Sequence, residues 1–280
     1  MRALVLGSEG QIGSHLTKYL KDQGNEVIEI DYALGPEHDL RERFNSKVWA
    51  GMNNCDFVYF LAFDVGGSTY LKSYQNSTEF LDNNVDIMKY TFRLLERSQK
   101  PFLFASSQMS NMNHSPYGVL KRLGEFYTHA LGGIVVKFWN VYGVEKDPTK
   151  FHVITDFIRM AAQDGIIEMK TTGEEERQFL YADDCSEALV RLAQQFDFID
   201  KSQSYDITSY EWVSVREIAE MISHMYGMAP IIFGKEIDRV QGVRNEPNNN
   251  ILDFWEPTTS LKKGIKKVNE LMKDQWKVNG

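Results

Sequence analysis

The segment Gly7-Ser8-Glu9-Gly10-Gln11-Ile12-Gly13 constrains this chain more than any other. It follows the short apolar run Ala3 to Leu6 and opens a stretch with apolar residues at Ile12, Leu16, Tyr19 and Leu20. The run has the pattern of a buried parallel strand, and the stretch that of an amphipathic helix. Between two such elements each glycine has a physical reason. Gly7 permits the tight turn, Gly10 lets the backbone approach a pyrophosphate, and Gly13 lets helix and strand pack closely. The helix N-terminus at Gln11 and Ile12 then offers N–H groups and positive dipole charge to the phosphates. Asp31 ends a second strand, Asn25 to Asp31. A carboxylate there accepts hydrogen bonds from a ribose 2′-OH and repels a 2′-phosphate, so NAD is expected rather than NADP. The competing readings are a bare strand-to-helix turn and, for Asp31, an ordinary turn residue.

The alternation continues. Strands are expected at Cys55 to Ala62, Pro101 to Ala105 and Gly133 to Phe138, with helices at Asn84 to Arg97 and Tyr117 to Leu131. This is the pattern of an α/β fold, a Rossmann-type doubly wound parallel sheet. After Gly143 the rhythm becomes irregular, with helices expected at Phe151 to Ala162, Cys185 to Gln195, Val215 to Tyr226 and Leu261 to Met272. The expected division is a dinucleotide-binding domain over 1–143 and a smaller, interwoven substrate-binding lobe over 144–280. Part of that lobe is expected to return to the sheet.

The formal net charge of -8 argues against nucleic-acid partners, because phosphate neutralisation needs clustered Lys and Arg. No run of apolar residues is long enough to span a bilayer, and the N-terminal run is too short for a signal peptide, so a cytoplasmic protein is expected. Cys55 and Cys185 have no metal-ligand spacing and read as buried free thiols in a reducing compartment. His152 and Asp156 stand i, i+4 on an expected helix, but no third ligand has matching spacing, so a helix-surface pair is the better reading than a metal site. Trp139, Tyr210, Trp212 and Trp255 read as packing residues, since no basic groove accompanies them.

Tyr117 and Lys121 lie four apart on one expected helix, hence on one face. An ammonium near a phenol favours the phenolate, which can take a proton from a hydroxyl as hydride leaves the same carbon. With these residues in view, the chain resembles the extended short-chain dehydrogenase/reductase family of nucleotide-sugar epimerases and dehydratases. The likeness runs through Gly7/Gly10/Gly13, Asp31, Asp39-Leu40, Leu61-Ala62, Asn84, Ser106-Ser107, Tyr117/Lys121 and Asn140-Val141-Tyr142-Gly143. It continues through Arg177-Gln178-Phe179-Leu180-Tyr181-Ala182-Asp183-Asp184, Tyr205-Asp206-Ile207 and Ser260 to Ile265. The resemblance implies a cofactor site at the glycine loop, Asp31, Asp39, Leu40, Leu61 and Ala62. It implies Ser107 holding the reacting hydroxyl, Tyr117 as general base, and Lys121 lowering the phenol's pKa and holding the nicotinamide ribose. It implies sugar-nucleotide binding by Asn140, Arg177 and Arg244, and a homodimer through the helices at 84–97 and 117–131. Phe63-Asp64-Val65-Gly66-Gly67-Ser68 and Gln241-Gly242-Val243-Arg244-Asn245 resemble the GDP-mannose 3,5-epimerase branch. That branch implies Gly66 and Gly67 at the sugar and a GDP-linked substrate.

Two departures narrow the expected reaction. Gln108-Met109 stand where dehydratases carry Asp-Glu and where the 3,5-epimerase carries a Cys, so both chemistries lack their acid and base there. The loop between Ser107 and Tyr117 is short, which is expected to remove further groups and open the site, leaving His114 as its only ionisable side chain. Lys146 and Lys150 fall near that epimerase's catalytic Lys, with loop surface charge an equal reading. The expected activity is NAD-dependent oxidation at C4 of a GDP-mannose- or GDP-heptose-type sugar, as a 4-dehydrogenase. The alternatives are a C4 epimerase and a non-catalytic NAD(H) sensor, against which the Tyr117/Lys121 pair argues.

Overall fold

The structure, a computed structural model, describes residues 1–145, 151–236 and 245–279. The first half alternates strand and helix: β1 Arg2–Leu6, α1 Gln11–Asp22, β2 Glu26–Ile30, α2 Ser46–Asn54, β3 Phe57–Phe60, α3 Ser68–Tyr74, α4 Thr78–Ser98, β4 Phe102–Ser107, α5 Pro116–Ala130 and β5 Ile134–Phe138. Then follow β6 Asn140–Tyr142, α6 Val153–Arg159, β7 Ile167–Glu168, β8 Glu176–Tyr181, α7 Ala182–Gln194, β9 Ser204–Ile207, β10 Trp212–Ser214, α8 Val215–Met225, β11 Ile231–Ile232 and α9 Leu261–Asn279.

The main sheet has the order β2-β1-β3-β4-β5-β9, and every pairing in it is parallel. Its sixth strand, β9, lies far beyond β5 in sequence yet pairs with it, Val135 opposite Ser204 through Phe138 opposite Ile207. A parallel sheet needs cover on both faces. Along β1, Ala3 and Val5 enter one core layer with Leu16, Leu20, Leu189 and Leu192, while Leu4 and Leu6 enter the other with Met52, Phe92 and Phe104. Thus α1 and α7 cover one face, and α2, α4 and α5 the other. A third apolar layer, from Tyr142, Ile158, Phe179, Ile218 and Ile265, joins the smaller sheet β10-β8-β6 to α6, α8 and α9.

Several boundaries differ from the sequence reading. The long helix begins at Thr78 because Ser77 caps it, its hydroxyl accepting from Phe80 N at 3.1 Å, and Phe80 is fully buried. The helix expected to reach Ala162 ends as regular α6 at Arg159 and closes through a wider turn, Met160–Asp164, at Gly165 with φ +70°. The short loop after Ser107 does not gape. Gln108–Asn111 form a 3₁₀ turn, and Met109 and Met112 are buried in the core between sheet and α4/α5. Thioethers lose little by filling such a space, and their burial draws the loop inward.

That turn positions α5. Ser115 caps it, accepting from Gly118 N at 3.2 Å, and Pro116 sits in the first turn with its φ already helical. Gly118 then packs directly on the turn: a Cβ there would fall 2.2 Å from Met109 O and 3.0 Å from Met112 O. Gly118→Ala is therefore expected to cost about 1–3 kcal/mol, as overpacking does. The measurement is the urea midpoint, expected to drop with an unchanged slope; an unmoved midpoint contradicts the contact.

Candidate active site

A cavity of about 720 Å³ opens at the C-terminal ends of the main-sheet strands. It brings together residues far apart in sequence: Gly7, Gly10, Gln11, Ile12 and Gly13; Asp31, Asp39 and Leu40; Leu61, Ala62, Gly66 and Gly67; Ser107, Tyr117, Lys121 and Asn140. Arg177 lies on β8 and is not among the residues lining the cavity. Arg244, Lys146 and Lys150 lie outside the described residues. His114 is exposed and away from the cavity.

The glycine loop is shaped by close approach. Gly7 turns with φ +89°, in the left-handed region, and a Cβ on it would meet Ala62 N at 2.7 Å. A Cβ on Gly13 would fall 1.9 Å from Gly7 O, so α1 can sit against the loop only with glycine there. Asp31 serves the loop as well as facing the cavity. One carboxylate oxygen accepts from Glu9 N at 2.9 Å, the other from Ala33 N at 2.9 Å. The turn-residue reading and the cavity position therefore hold together for this side chain.

Asp39 accepts a forked pair from Arg41, Nη2 to Oδ2 at 2.8 Å and Nε to Oδ1 at 2.9 Å, and this ion pair holds its carboxyl below the usual range. Arg41 also donates to Asn83 Oδ1 at 3.0 Å, and Asn83 donates to Asp64 Oδ2 at 3.0 Å. Asp64 accepts from the Tyr70 hydroxyl at 2.6 Å, and its N–H donates to the fully buried Asn84 at 2.7 Å. The loop that carries Gly66 and Gly67 is thus tied by hydrogen bonds to α4.

Ser107 ends β4, and Tyr117 and Lys121 stand on successive turns of α5. The expected lowering of the Tyr117 pKa is not what the site produces. Burial pushes the phenol up to about 12, with only a hydrogen bond to Ser107 acting the other way. Lys121 is itself held well below its ordinary value by burial, only partly offset by Glu125. Its Nζ donates to Ala105 O at 2.6 Å and lies 3.7 Å from the centre of the Phe63 ring, against 5.7 Å for the Tyr117 ring. The ammonium is thus occupied by a carbonyl and a neighbouring ring face. Beneath it, the buried Glu125 accepts from Ser106 Oγ at 2.6 Å and meets Arg122 at 2.6 Å and Lys137 at 3.5 Å.

Among the cavity residues that the sequence reading missed or read otherwise are Arg41, Asn83, Trp139, Glu145 and His152. Trp139 lines the cavity while its Nε1 donates to Asp206 Oδ1 at 2.8 Å, and burial raises that carboxyl's pKa. His152 also lines it, paired not with Asp156 but with Glu145, Nδ1 to Oε1 at 2.6 Å. Asp156 pairs with Arg159 at 3.2 Å instead, and among the described residues no group of side chains could hold a metal ion. No signal in the sequence joined Glu145 to His152, because α6 begins only at Val153 and their seven-residue spacing has no helix to run along. Cys55 and Cys185 are both buried free thiols, and no helix of the described residues is long and apolar enough to cross a membrane.

Residues 3–208 match the NAD dependent epimerase/dehydratase family. GDP-mannose 3,5-epimerase 1 of Oryza sativa subsp. indica is 28% identical, over 98% of this chain and 82% of its own length. The uncharacterized UDP-glucose epimerase YtcB of Bacillus subtilis (strain 168) is 25% identical, over 97% of each chain. Among solved structures, epimerase Mth375 of Methanothermobacter thermautotrophicus superposes with a TM-score of 0.85 at 19% identity, over 99% of this chain and 93% of that one. MoeE5, in complex with UDP-glucose and NAD, superposes with a TM-score of 0.83 at 23% identity, over 99% of this chain and 100% of that one. These two likenesses speak for the fold. The cavity fits the cofactor that the family's description names: a turn only glycine can make faces a helix N-terminus, and the Asp31 carboxylate stands at the end of β2. Both the match over most of the chain and the cavity at the strand ends lead to the same assignment: the chain belongs to the NAD-dependent epimerase/dehydratase family of enzymes, which act on nucleotide sugars.

Proposed function

We propose that the protein oxidises C4 of a nucleotide sugar, a GDP-linked hexose or heptose in first place, and acts as a 4-dehydrogenase. The observation that carries this reading is the meeting of Ser107, Tyr117 and Lys121 in the cavity that the glycine loop opens into. NAD, when bound, supplies the hydride acceptor. Tyr117 takes the proton of the 4-hydroxyl, and Ser107 fixes that hydroxyl by hydrogen bonding. Lys121 has to leave Ala105 O and approach the phenol and the ribose before Tyr117 can accept a proton near neutral pH. Asn140, Gly66 and Gly67 line the sugar side. The GDP preference rests on the loop Phe63 to Ser68 and on the likeness to a GDP-mannose 3,5-epimerase. If hydride returns to the opposite face of C4, the same residues perform a C4 epimerisation, and product analysis separates the two.

We also propose that two copies pair through α4 and α5. Val119, Leu123 and Phe126 are 50%, 41% and 59% exposed and form one i, i+4, i+7 stripe on α5, with Val85 of α4 also exposed.

GDP-, UDP- and dTDP-linked sugars tested with NAD are expected to yield reduced nicotinamide with the GDP sugars fastest. Tyr117→Phe is expected to lose about 10²–10⁴-fold in rate, the range of a general acid–base group. Tight NAD binding without turnover on any sugar contradicts the reading. In protein stripped of NAD, an ultraviolet difference titration of wild type against Tyr117→Phe is expected to place this phenol near 12 rather than 10.0. Between those values the native protein keeps a proton the unfolded chain has released, so this group makes stability fall as pH rises. Light scattering coupled to gel filtration is expected to give a dimer for wild type and a monomer for Phe126→Asp.

A further inference from the structure

One wall of the cavity carries a line of hydrogen bonds that the proposed chemistry does not use. It starts at Asp39, whose carboxylate takes the fork from Arg41, while the Arg41 guanidinium rests over the Tyr32 ring at 4.9 Å. Arg41 Nη1 donates to Asn83 Oδ1 at 3.0 Å, Asn83 Nδ2 donates to Asp64 Oδ2 at 3.0 Å, and the Tyr70 hydroxyl donates to Asp64 Oδ1 at 2.6 Å. Asp39, Arg41, Asn83 and Asp64 all line the cavity. The line ends on the sugar-side loop, because Tyr70 lies directly against Gly66: a Cβ there would fall 2.9 Å from Tyr70 Cβ and Cγ. A guanidinium only donates and a carboxylate only accepts, so a side-chain amide can join them, and they fix which way it points. A carboxylate at position 83 would serve Arg41 but repel Asp64, and a hydrocarbon would serve neither. From Tyr70 the connection reaches the small lobe. Thr69 Oγ1 accepts from Lys170 Nζ at 2.9 Å, and Lys72 Nζ donates to Glu236 Oε2 at 2.8 Å. These last two contacts are exposed and weak by themselves, so they follow the position of α3.

We propose that Asn83 is a positioning residue that couples NAD binding beside Asp39 and Arg41 to the ordering of the Gly66–Gly67 loop and α3, so that bound NAD raises the affinity for the nucleotide sugar. The inference rests on the binding of NAD and of a nucleotide sugar, and not on the reaction at C4. A dinucleotide seated along Asp31, Asp39 and Leu40 takes water away from Arg41 and holds its side chain still. The fork to Asp39 and the bond to Asn83 then lie in less polar surroundings, where each hydrogen bond strengthens the next. Asp64 and Tyr70 are held before the sugar arrives, and the sugar no longer has to order that loop itself. By linkage, the sugar raises the affinity for NAD by the same factor. Asn83 acts only through Arg41 and Asp64. A purely structural role, in which Asn83 merely ties the loop to α4, makes a different prediction: its loss loosens α3 equally with and without NAD.

The first test needs no sugar. Amide hydrogen exchange of α3, Ser68–Tyr74, is read by mass spectrometry on the full chain, stripped of NAD and then saturated with it. In wild type, NAD is expected to slow this exchange about tenfold. In Asn83→Leu and Asn83→Asp, NAD is expected still to slow exchange over residues 7–13, while its effect on α3 falls below about twofold. Arg41→Met is expected to lose the α3 effect as well, and the double variant Arg41→Met/Asn83→Leu to lose no more than either alone, as members of one line do. The second test is calorimetric titration with GDP-mannose and with UDP-glucose, in a Tyr117→Phe background that holds back the chemistry. Affinity is expected to be about tenfold higher with NAD than without it when Asn83 is present, and within about twofold in Asn83→Leu. Binding of neither sugar sinks the substrate reading, and an intact exchange effect then keeps the coupling of NAD to the loop. An α3 that NAD leaves unchanged in wild type, an equal NAD effect in wild type and both folded Asn83 variants, or a sugar affinity indifferent to NAD in wild type, overturns the proposal.

Discussion

The approach of α1 to the glycine loop is the constraint on which the rest leans. With Gly13 against Gly7 O, the first helix starts close to the sheet and points its N-terminus into the cavity. From there it reaches the later part of the chain. Gln11 Nε2 donates to Val141 O at 3.1 Å, His15 meets Val144 O, and the buried Leu16 and Leu20 pack in one layer with Leu189 and Leu192 of α7. His15 also lies 3.7 Å from Asp183 at the start of α7, which holds that carboxyl below its usual range. A side chain at position 13 would lift the helix and loosen the loop, the β6 end and α7 together.

The pair Tyr117/Lys121 illustrates how burial competes with proximity. Helical spacing puts the two on one face, and in water an ammonium at that distance would favour the phenolate. In the protein both groups are desolvated, which disfavours both charged forms. The lysine meets this by donating to Ala105 O and resting on Phe63. The basicity of the site therefore depends on where Lys121 points.

Much of the fold was legible because its signals are local. The apolar runs of β1, β3, β4 and β5 and the helical spacing after Gly13 each fit one element. The gathering of the glycine loop, Asp31 and Leu61-Ala62 at one cavity wall followed, since these residues sit in or beside such elements. What escaped depended on contacts between distant segments. The cap at Ser77 and the turn at Met160–Asp164 shifted boundaries, and the short helices α2 and α3 have little periodicity to read. The inward folding of Met109 and Met112 comes from tertiary packing against Gly118. The Glu145–His152 pair and the Trp139–Asp206 bond exist only once β5, β6, β9 and the start of α6 are brought together. Arg177 kept its place in a recognisable motif but not at the cavity wall.

The position of β9 has a consequence for how the molecule is made. A ribosome delivers β1 to β5 well before Ser204–Ile207, so for that interval β5 is an open parallel edge with its hydrogen-bonding groups unpaired. The layer under α1 also waits, because α7 supplies Leu189 and Leu192 to it. The nascent first half is thus obliged to persist as an incomplete sheet until roughly three quarters of the chain has emerged. Until that long loop closes, the unpaired edge of β5 is open to pairing with other chains.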